Sequence, residues 1–132
     1  MPTTLASVFR RRWALPTGLL GFASFCITLF ACSAGDTIDQ HPCPSGGTPL
    51  TYENFGQAFM NQWCEPCHAG SAPARNGAPP AYTFDTEPEV AHWKDRIFAR
   101  AADDNTSMPP GPDGPPSDER HKLGDWLACG AP

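Results

Sequence analysis

The feature that most constrains this chain of 132 residues is the run C-x-x-C-H formed by Cys64, Cys67 and His68. Two cysteines at this spacing can form a local disulfide, half of a zinc site or a thioredoxin-like redox pair. A structural zinc site takes four ligands, however, and the sequence holds no second C-x-x-C or H-x-x-x-H pair. A thioredoxin-like pair needs a βαβ context, which the sequence lacks. The histidine that follows the second cysteine is therefore the informative residue.

A cysteine pair followed directly by histidine is the attachment sequence of a c-type haem. The spacing lets each thiol add to one of two vinyl groups on neighbouring edges of the porphyrin, and the imidazole then lies beneath the iron. We therefore expect one covalent haem c, with Cys64 and Cys67 as thioether anchors and His68 as the proximal iron ligand. Disulfide, zinc and redox-pair chemistry stay open as alternatives.

Residues 1–31 are predicted to be a signal peptide, because arginines at positions 10–12 precede an apolar stretch and no acidic residue occurs there. Ala31 and Cys32 end a run that resembles the lipobox of bacterial lipoproteins, which implies that Cys32 is acylated and becomes the N-terminus. A retained membrane helix is the alternative. Both interpretations put the remaining chain on the periplasmic side of a bacterial membrane, and neither decides between the inner and the outer membrane.

Residues 33–49 contain Pro, Gly, Ser and Asp without apolar periodicity. We therefore expect residues 32–49 to be a lipidated flexible tether. The haem domain would occupy residues 50–132. Its apolar side chains are few and its prolines and glycines many, so side chains alone would bury little surface. A haem would supply the missing hydrophobic mass.

Three helices are predicted after residue 50, since apolar residues recur there at helical spacing. The first begins after an N-cap at Thr51, the second at a capping box of Thr86 and Glu89, and the third after an N-cap at Ser117. Their apolar faces comprise Phe55, Phe59 and Trp63; Val90, Trp93, Ile97 and Ala101; and Leu123, Trp126 and Leu127. The fold class is therefore all-α, with Pro/Gly-rich loops between the helices.

Met108 is the predicted distal iron ligand. It lies in residues 103–116, where prolines exclude a helix or a central strand and stiffen the loop. A stiff loop loses little entropy when a weak iron–thioether bond holds it. His92 and His121 are alternative ligands, although a surface position is the simpler interpretation of each.

Cys43 and Cys129 remain once Cys32 is assigned to lipid and the C-x-x-C-H cysteines to haem. In an oxidising compartment such a pair is most simply a disulfide. Closing a loop of this length would stabilise a small domain by about 4 kcal/mol on the chain-entropy model. Two free thiols are the alternative.

The order of these features between about Tyr52 and Cys129 resembles a class I monohaem cytochrome c. The likeness consists of a helix with spaced aromatics entering C-x-x-C-H, a Pro-rich loop, a middle helix, a methionine followed by proline, and a last helix containing Leu-Gly-Asp-Trp-Leu. It implies a small shell of helices around one haem, with one haem edge exposed for electron exchange. The tether, the lipobox and the extra cysteine pair are not part of the common cytochrome pattern.

The resemblance also bears on the loop that follows His68. In such cytochromes a proline carbonyl accepts the free ring N–H of the ligating histidine, which makes Pro79 or Pro80 the expected acceptor. Arg75 is expected either to meet a haem propionate or to lie in solvent.

The expected function is electron transfer with redox-protein donors and acceptors as partners, and not catalysis. Three of the nine basic residues precede Cys32 and all 14 acidic residues follow it, so the chain after residue 31 has a formal charge of −8. Such a surface disfavours nucleic acid as a partner and could steer a basic redox partner. Two alternatives stay open: a structural or sensory haem subunit of an envelope complex, and a peroxide- or gas-binding haem enzyme.

Overall fold

The computed structural model describes residues 36–132, and this part of the chain is helical, with no strand. The all-α fold class is therefore confirmed for the described residues. The predicted signal peptide and Cys32 lie outside them. No helix within residues 36–132 is long and apolar enough to cross a membrane.

The first helical stretch runs without interruption into the C-x-x-C-H run. Its parts are a π-helical turn Tyr52–Gly56, α1 (Gln57–Phe59), a second π-helical turn Met60–Cys64, and α2 (Glu65–His68). The predicted N-cap is confirmed, because the Thr51 hydroxyl accepts a hydrogen bond of 3.2 Å from the N–H of Asn54. The Asn54 side chain returns the contact by accepting from the N–H of Thr51 at 2.8 Å.

The second helix, α3 (Glu87–Ala101), begins at the predicted capping box. The Glu89 carboxylate accepts hydrogen bonds of 3.0 Å from both the N–H and the hydroxyl of Thr86. The third helix, α4 (Ser117–Ala128), begins one residue earlier than predicted. Pro116 rather than Ser117 is the N-cap, because with φ −57° and ψ 155° it already has the extended backbone of a cap residue.

The core lies where the first helical stretch, α3 and α4 meet. Its fully buried large side chains are Val90, Phe98, Leu123, Trp126, Leu127 and Met60. The predicted apolar face of α4 is therefore confirmed, and Phe98 joins the predicted face of α3. The indole N–H of Trp63 donates to Glu119 at 3.0 Å and so ties the first stretch to α4.

Residues 36–49, here called the N-terminal strap, contact α3 and α4 through the turn Ile38–Gln40 and through His41, where the composition predicts a flexible tether. A short 3₁₀ turn, Ile38–Gln40, lies against both helices, and Ile38 packs on the core. The nitrogens of His41 lie 2.8 Å from an Asp103 oxygen and 2.9 Å from an Asp125 oxygen. The ordered domain therefore begins before residue 50. Composition missed this because isolated side chains hold the strap and leave no periodic pattern.

A disulfide joins the strap to the end of α4. The sulfurs of Cys43 and Cys129 lie 1.96 Å apart, so the pairing expected from the sequence is present in the structure. It links positions 86 residues apart, near the two ends of the described chain. The bond and the His41 contacts fasten the same segment.

Candidate functional site

A cavity of about 370 Å³ brings the C-x-x-C-H run together with Met108. Cys64, Cys67, His68 and Met108 all line it. In the sequence, the whole of α3 lies between His68 and Met108. The volume lies in the range of about 300 to 1,000 Å³ that small-molecule and cofactor sites occupy. The residues expected to anchor and ligate a haem therefore border one space.

The walls of this cavity are largely apolar. They are formed by Phe59, Trp63, Phe84, Ile97, Ala101 and Pro110, among other residues. The charged residues in the lining are Arg75, Arg96 and Arg100. Half of the six basic residues that follow residue 31 thus line one cavity of an otherwise acidic chain.

The imidazole of His68 is held in one tautomer. Its Nδ1 lies 3.0 Å from the carbonyl oxygen of Tyr82, and a carbonyl can only accept, so Nδ1 carries the proton. In the neutral ring the lone pair is then on Nε2, for which no hydrogen-bond partner is present among residues 36–132. The ring of Phe84 stacks on the imidazole with centroids 4.7 Å apart. A neutral imidazole oriented through its other nitrogen is the form that ligates metals.

The expectation that Pro79 or Pro80 accepts from His68 is wrong. The Pro79 carbonyl instead accepts the N–H of Tyr82 at 3.0 Å, which closes a turn. This turn directs the carbonyl of Tyr82 toward His68. The sequence does not reveal this acceptor, because the hydrogen bond goes to the backbone oxygen of Tyr82 and does not depend on the Tyr82 side chain.

Arg75 organises the same loop. Its guanidinium donates to the carbonyls of Ala69 at 2.7 Å, Pro79 at 2.9 Å, Tyr82 at 3.0 Å and Ala78 at 3.3 Å. Four of its five N–H groups are thus directed at backbone oxygens. The side chain lines the cavity but is half-buried, and so differs from the solvated arginine of the simpler expectation.

Cys64 and Cys67 are free thiols in the structure. Burial raises the pKa of the Cys64 thiol to about 12, and the negative charge of Glu65 adds to the effect. Redox-active dithiols depend on a lowered thiol pKa, so Cys64 lacks the thiolate character of a thioredoxin-like pair. The Asn76 amide donates to the sulfur of Cys67 at 3.3 Å.

The backbone of Met108 is hydrogen-bonded on both sides, while the residue is 41% exposed. The Met108 N–H donates to the carbonyl of Arg100 at 2.9 Å. Its carbonyl accepts from Arg120 at 3.0 Å. The loop therefore holds the thioether at the cavity without packing it into the core.

Arg120 is a buried residue that contacts the Met108 loop from outside the cavity lining, and the sequence analysis missed it. Besides the Met108 carbonyl, it donates to those of Ala101 at 2.7 Å, Asn105 at 3.0 Å and Pro115 at 3.1 Å. It thereby joins α4, the end of α3 and the Pro-rich loop. The position of an arginine on the otherwise apolar side of α4 is only weak sequence evidence for a buried role, since the burial of its side chain depends on loops elsewhere in the chain.

The two alternative histidine ligands lie outside the cavity lining and are exposed. His121 Nδ1 lies 2.8 Å from a carboxylate oxygen of Asp103, and His92 packs edge-on against Trp93. Within residues 36–132, no three His, Cys, Asp or Glu side chains group closely enough to hold a metal ion.

The donor set around the cavity fits a haem c. It offers two free thiols, an imidazole whose Nε2 is not engaged, a thioether and apolar walls. Comparisons of the chain with protein-family models, with curated proteins and with solved structures find no match. Any assignment of function therefore depends on the residues of the cavity.

Proposed function

We propose that this protein is an electron carrier with one covalent haem c in the cavity. The observation that carries the proposal is the position of Cys64, Cys67, His68 and Met108 around one largely apolar space. When bound, the haem would supply a one-electron couple between Fe(III) and Fe(II).

Each residue has a defined task in this proposal. Cys64 and Cys67 would hold the haem through thioether bonds. His68 would bind the iron through Nε2, because its Nδ1–H is already bonded to the Tyr82 carbonyl. Met108 would bind the iron through its thioether sulfur. Histidine with methionine is the ligand pair that raises the reduction potential of c-type cytochromes.

The surrounding residues determine the environment of the couple. Phe59, Phe84 and Ile97 are almost fully buried and line the cavity, so they exclude water from it. The low local dielectric of such walls would disfavour the additional charge of an oxidised haem iron and so favour the reduced state. No substrate-binding step is needed, since electrons would enter and leave through an exposed edge of the haem.

We also propose that the protein works on the periplasmic side of a bacterial membrane, held by an acylated Cys32. The signal and lipobox residues lie outside the described part of the chain. The Cys43–Cys129 disulfide supports an oxidising compartment, because such bonds are rare in the cytosol.

The deciding experiment is to express the full chain in a bacterial host that has haem c maturation machinery and to record oxidised and reduced visible spectra. We expect haem that survives a denaturing gel, sharp low-spin reduced bands and the weak far-red band of Met-ligated ferric iron. The double variant Cys64→Ala, Cys67→Ala should lose the covalent haem. Wild-type protein without covalent haem would refute the proposed function.

The Met108 assignment needs a separate variant. Met108→Ala should lose the far-red band and lower the reduction potential, because an anionic or oxygen ligand supports ferric iron better than a thioether does. Met60→Leu is the matched control, since Met60 is fully buried in the core and does not line the cavity. An unchanged spectrum and potential in Met108→Ala would exclude Met108 as a ligand. High-spin wild-type iron would instead favour ligand binding.

A further inference from the structure

The carbonyl oxygen of Tyr82 accepts two hydrogen bonds that meet at the site. One comes from His68 Nδ1 at 3.0 Å, and the other from Arg75 Nη2, also at 3.0 Å. We propose that Arg75 is a positioning residue that weakens the electron donation of His68 by sharing its acceptor. This inference rests on the proposed function, because it assigns to Arg75 a role in setting the potential of the same site.

The guanidinium is well placed for this role because it cannot easily turn away. Three further carbonyls, those of Ala69, Ala78 and Pro79, hold it in the loop. Its planar, rigid arrangement of N–H groups matches several acceptors at once. Among residues 36–132, no carboxylate lies within ion-pair distance of Arg75, so the positive charge acts directly on these backbone oxygens.

The effect follows from how a shared acceptor behaves. A carbonyl that accepts from a cation is polarised, and its oxygen is less available to a second donor. The His68 Nδ1–H bond is then weaker, and the imidazole retains less negative character than it would with an unshared carbonyl. Since a stronger bond at the outer nitrogen raises the basicity of a ligating histidine, Arg75 lowers that basicity. A weaker donor at Nε2 favours the reduced iron.

A variant at Arg96 distinguishes the effect of the shared hydrogen bond from the effect of positive charge alone. It lines the same cavity and lies over the ring of Tyr82, 5.3 Å from the centroid, but it makes no hydrogen bond to the Tyr82 carbonyl among the described contacts. Arg96→Gln therefore removes one positive charge from the cavity wall and leaves the shared acceptor intact. Arg75→Gln removes both the charge and the second bond to the carbonyl.

The test uses haem-loaded protein of the wild type, Arg75→Gln and Arg96→Gln. Reduction potentials are measured by redox titration, and the ¹H and ¹⁵N signals of His68 Nδ1–H are recorded by NMR in the reduced state. In Arg75→Gln we expect the redox equilibrium to move about tenfold toward the oxidised form, ~59 mV for one electron. The Nδ1–H proton should move downfield, because its hydrogen bond becomes stronger. Arg96→Gln should give a smaller shift in potential and an unchanged Nδ1–H signal.

Arg75→Lys covers the case in which the glutamine variant does not fold. Lysine keeps the charge but not the planar set of N–H groups, so the Nδ1–H proton should again move downfield. An Nδ1–H signal that stays unchanged in the folded Arg75 variants, or an Arg75→Gln potential equal to that of Arg96→Gln, would overturn the inference. The same wild-type sample tests the proposed function separately, because a protein without His68-ligated covalent haem would refute that function first.

Discussion

Gly56 lies directly against the indole ring of Trp126. A Cβ built on Gly56 would lie 2.5 Å from both Cζ2 and Cη2 of that ring, closer than carbon atoms pack. The ring has no free space to move into, since Trp126 is fully buried and its Nε1 donates to the carbonyl of Pro132 at 3.1 Å. The absence of a side chain at Gly56 therefore sets how closely the stretch that carries the C-x-x-C-H run approaches α4.

We expect Gly56→Ala to lower the free energy of unfolding by about 2 kcal/mol. The added methyl group overpacks a dense core, and this exceeds the gain of about 1 kcal/mol in helix propensity. Urea unfolding measures the change. Gly46→Ala is the control, since nothing lies within 4 Å of its Cβ position, and it should change stability by less than about 0.5 kcal/mol. Equal stability of the two variants would contradict this packing.

The disulfide should contribute much of the stability of so small a domain. Replacing both Cys43 and Cys129 by serine removes a bridge across 86 residues, for which the chain-entropy model gives a loss of about 4 to 5 kcal/mol. Urea unfolding of haem-loaded protein measures it. A thiol titration of unfolded, unreduced, haem-loaded wild type should find no reactive thiol, and Cys43→Ser should expose one. Two reactive thiols in the wild type would rule out the bridge.

Arg120 should contribute both to the stability of the fold and to the ligation of the haem iron by Met108. Arg120→Gln leaves buried carbonyls at the end of α3 and in the Pro-rich loop without donors, and we expect a loss of about 3 kcal/mol. Because one of those carbonyls belongs to Met108, the far-red band of the holoprotein should also weaken at a lower temperature than in the wild type. Lys122→Gln is the control on the same helix, since its exposed pair with Asp118 contributes about 0 to 1 kcal/mol. If the far-red band of Arg120→Gln is as stable to heating as that of the wild type, Arg120 does not hold Met108 in place.

The contact between His121 and Asp103 should make stability depend on pH. The hydrogen bond to the Asp103 carboxylate raises the pKa of His121 above its ordinary value of 6.5. A raised pKa in the folded state stabilises the protein below the unfolded pKa, and this contribution is lost as the pH rises through the folded pKa. The difference in unfolding free energy between wild type and His121→Gln should therefore be largest in acid and shrink above about pH 6.5.

Urea unfolding of both proteins across this pH interval measures the difference, and added salt should reduce it. His92→Gln is the control, because His92 is exposed and has no carboxylate partner among the described residues. The Asp103 carboxylate also contacts His41 through its other oxygen, and we expect that contact to remain in His121→Gln. A difference that grew with rising pH would contradict the assigned contact.

Local features of the sequence determined most of the secondary structure. Thr51, and Thr86 with Glu89, begin their helices as predicted, because a cap is formed by residues three positions apart. The apolar residues of α4 are buried as their spacing predicts. The π-helical turns before the C-x-x-C-H run carry no comparable local signal, and the sequence predicted only a helix there.

The sequence by itself also identified the side chains whose chemistry is distinctive: the C-x-x-C-H run, Met108 and the pair Cys43 and Cys129. Only the tertiary structure decided which groups contact these side chains and hold them in place. It selected the Tyr82 carbonyl for His68, directed Arg75 and Arg120 at backbone oxygens, and packed the N-terminal strap on α3 and α4. Every residue carries a carbonyl, so spacing along the chain does not encode which oxygen comes within 3 Å of a donor. The path of the loops through space makes that choice.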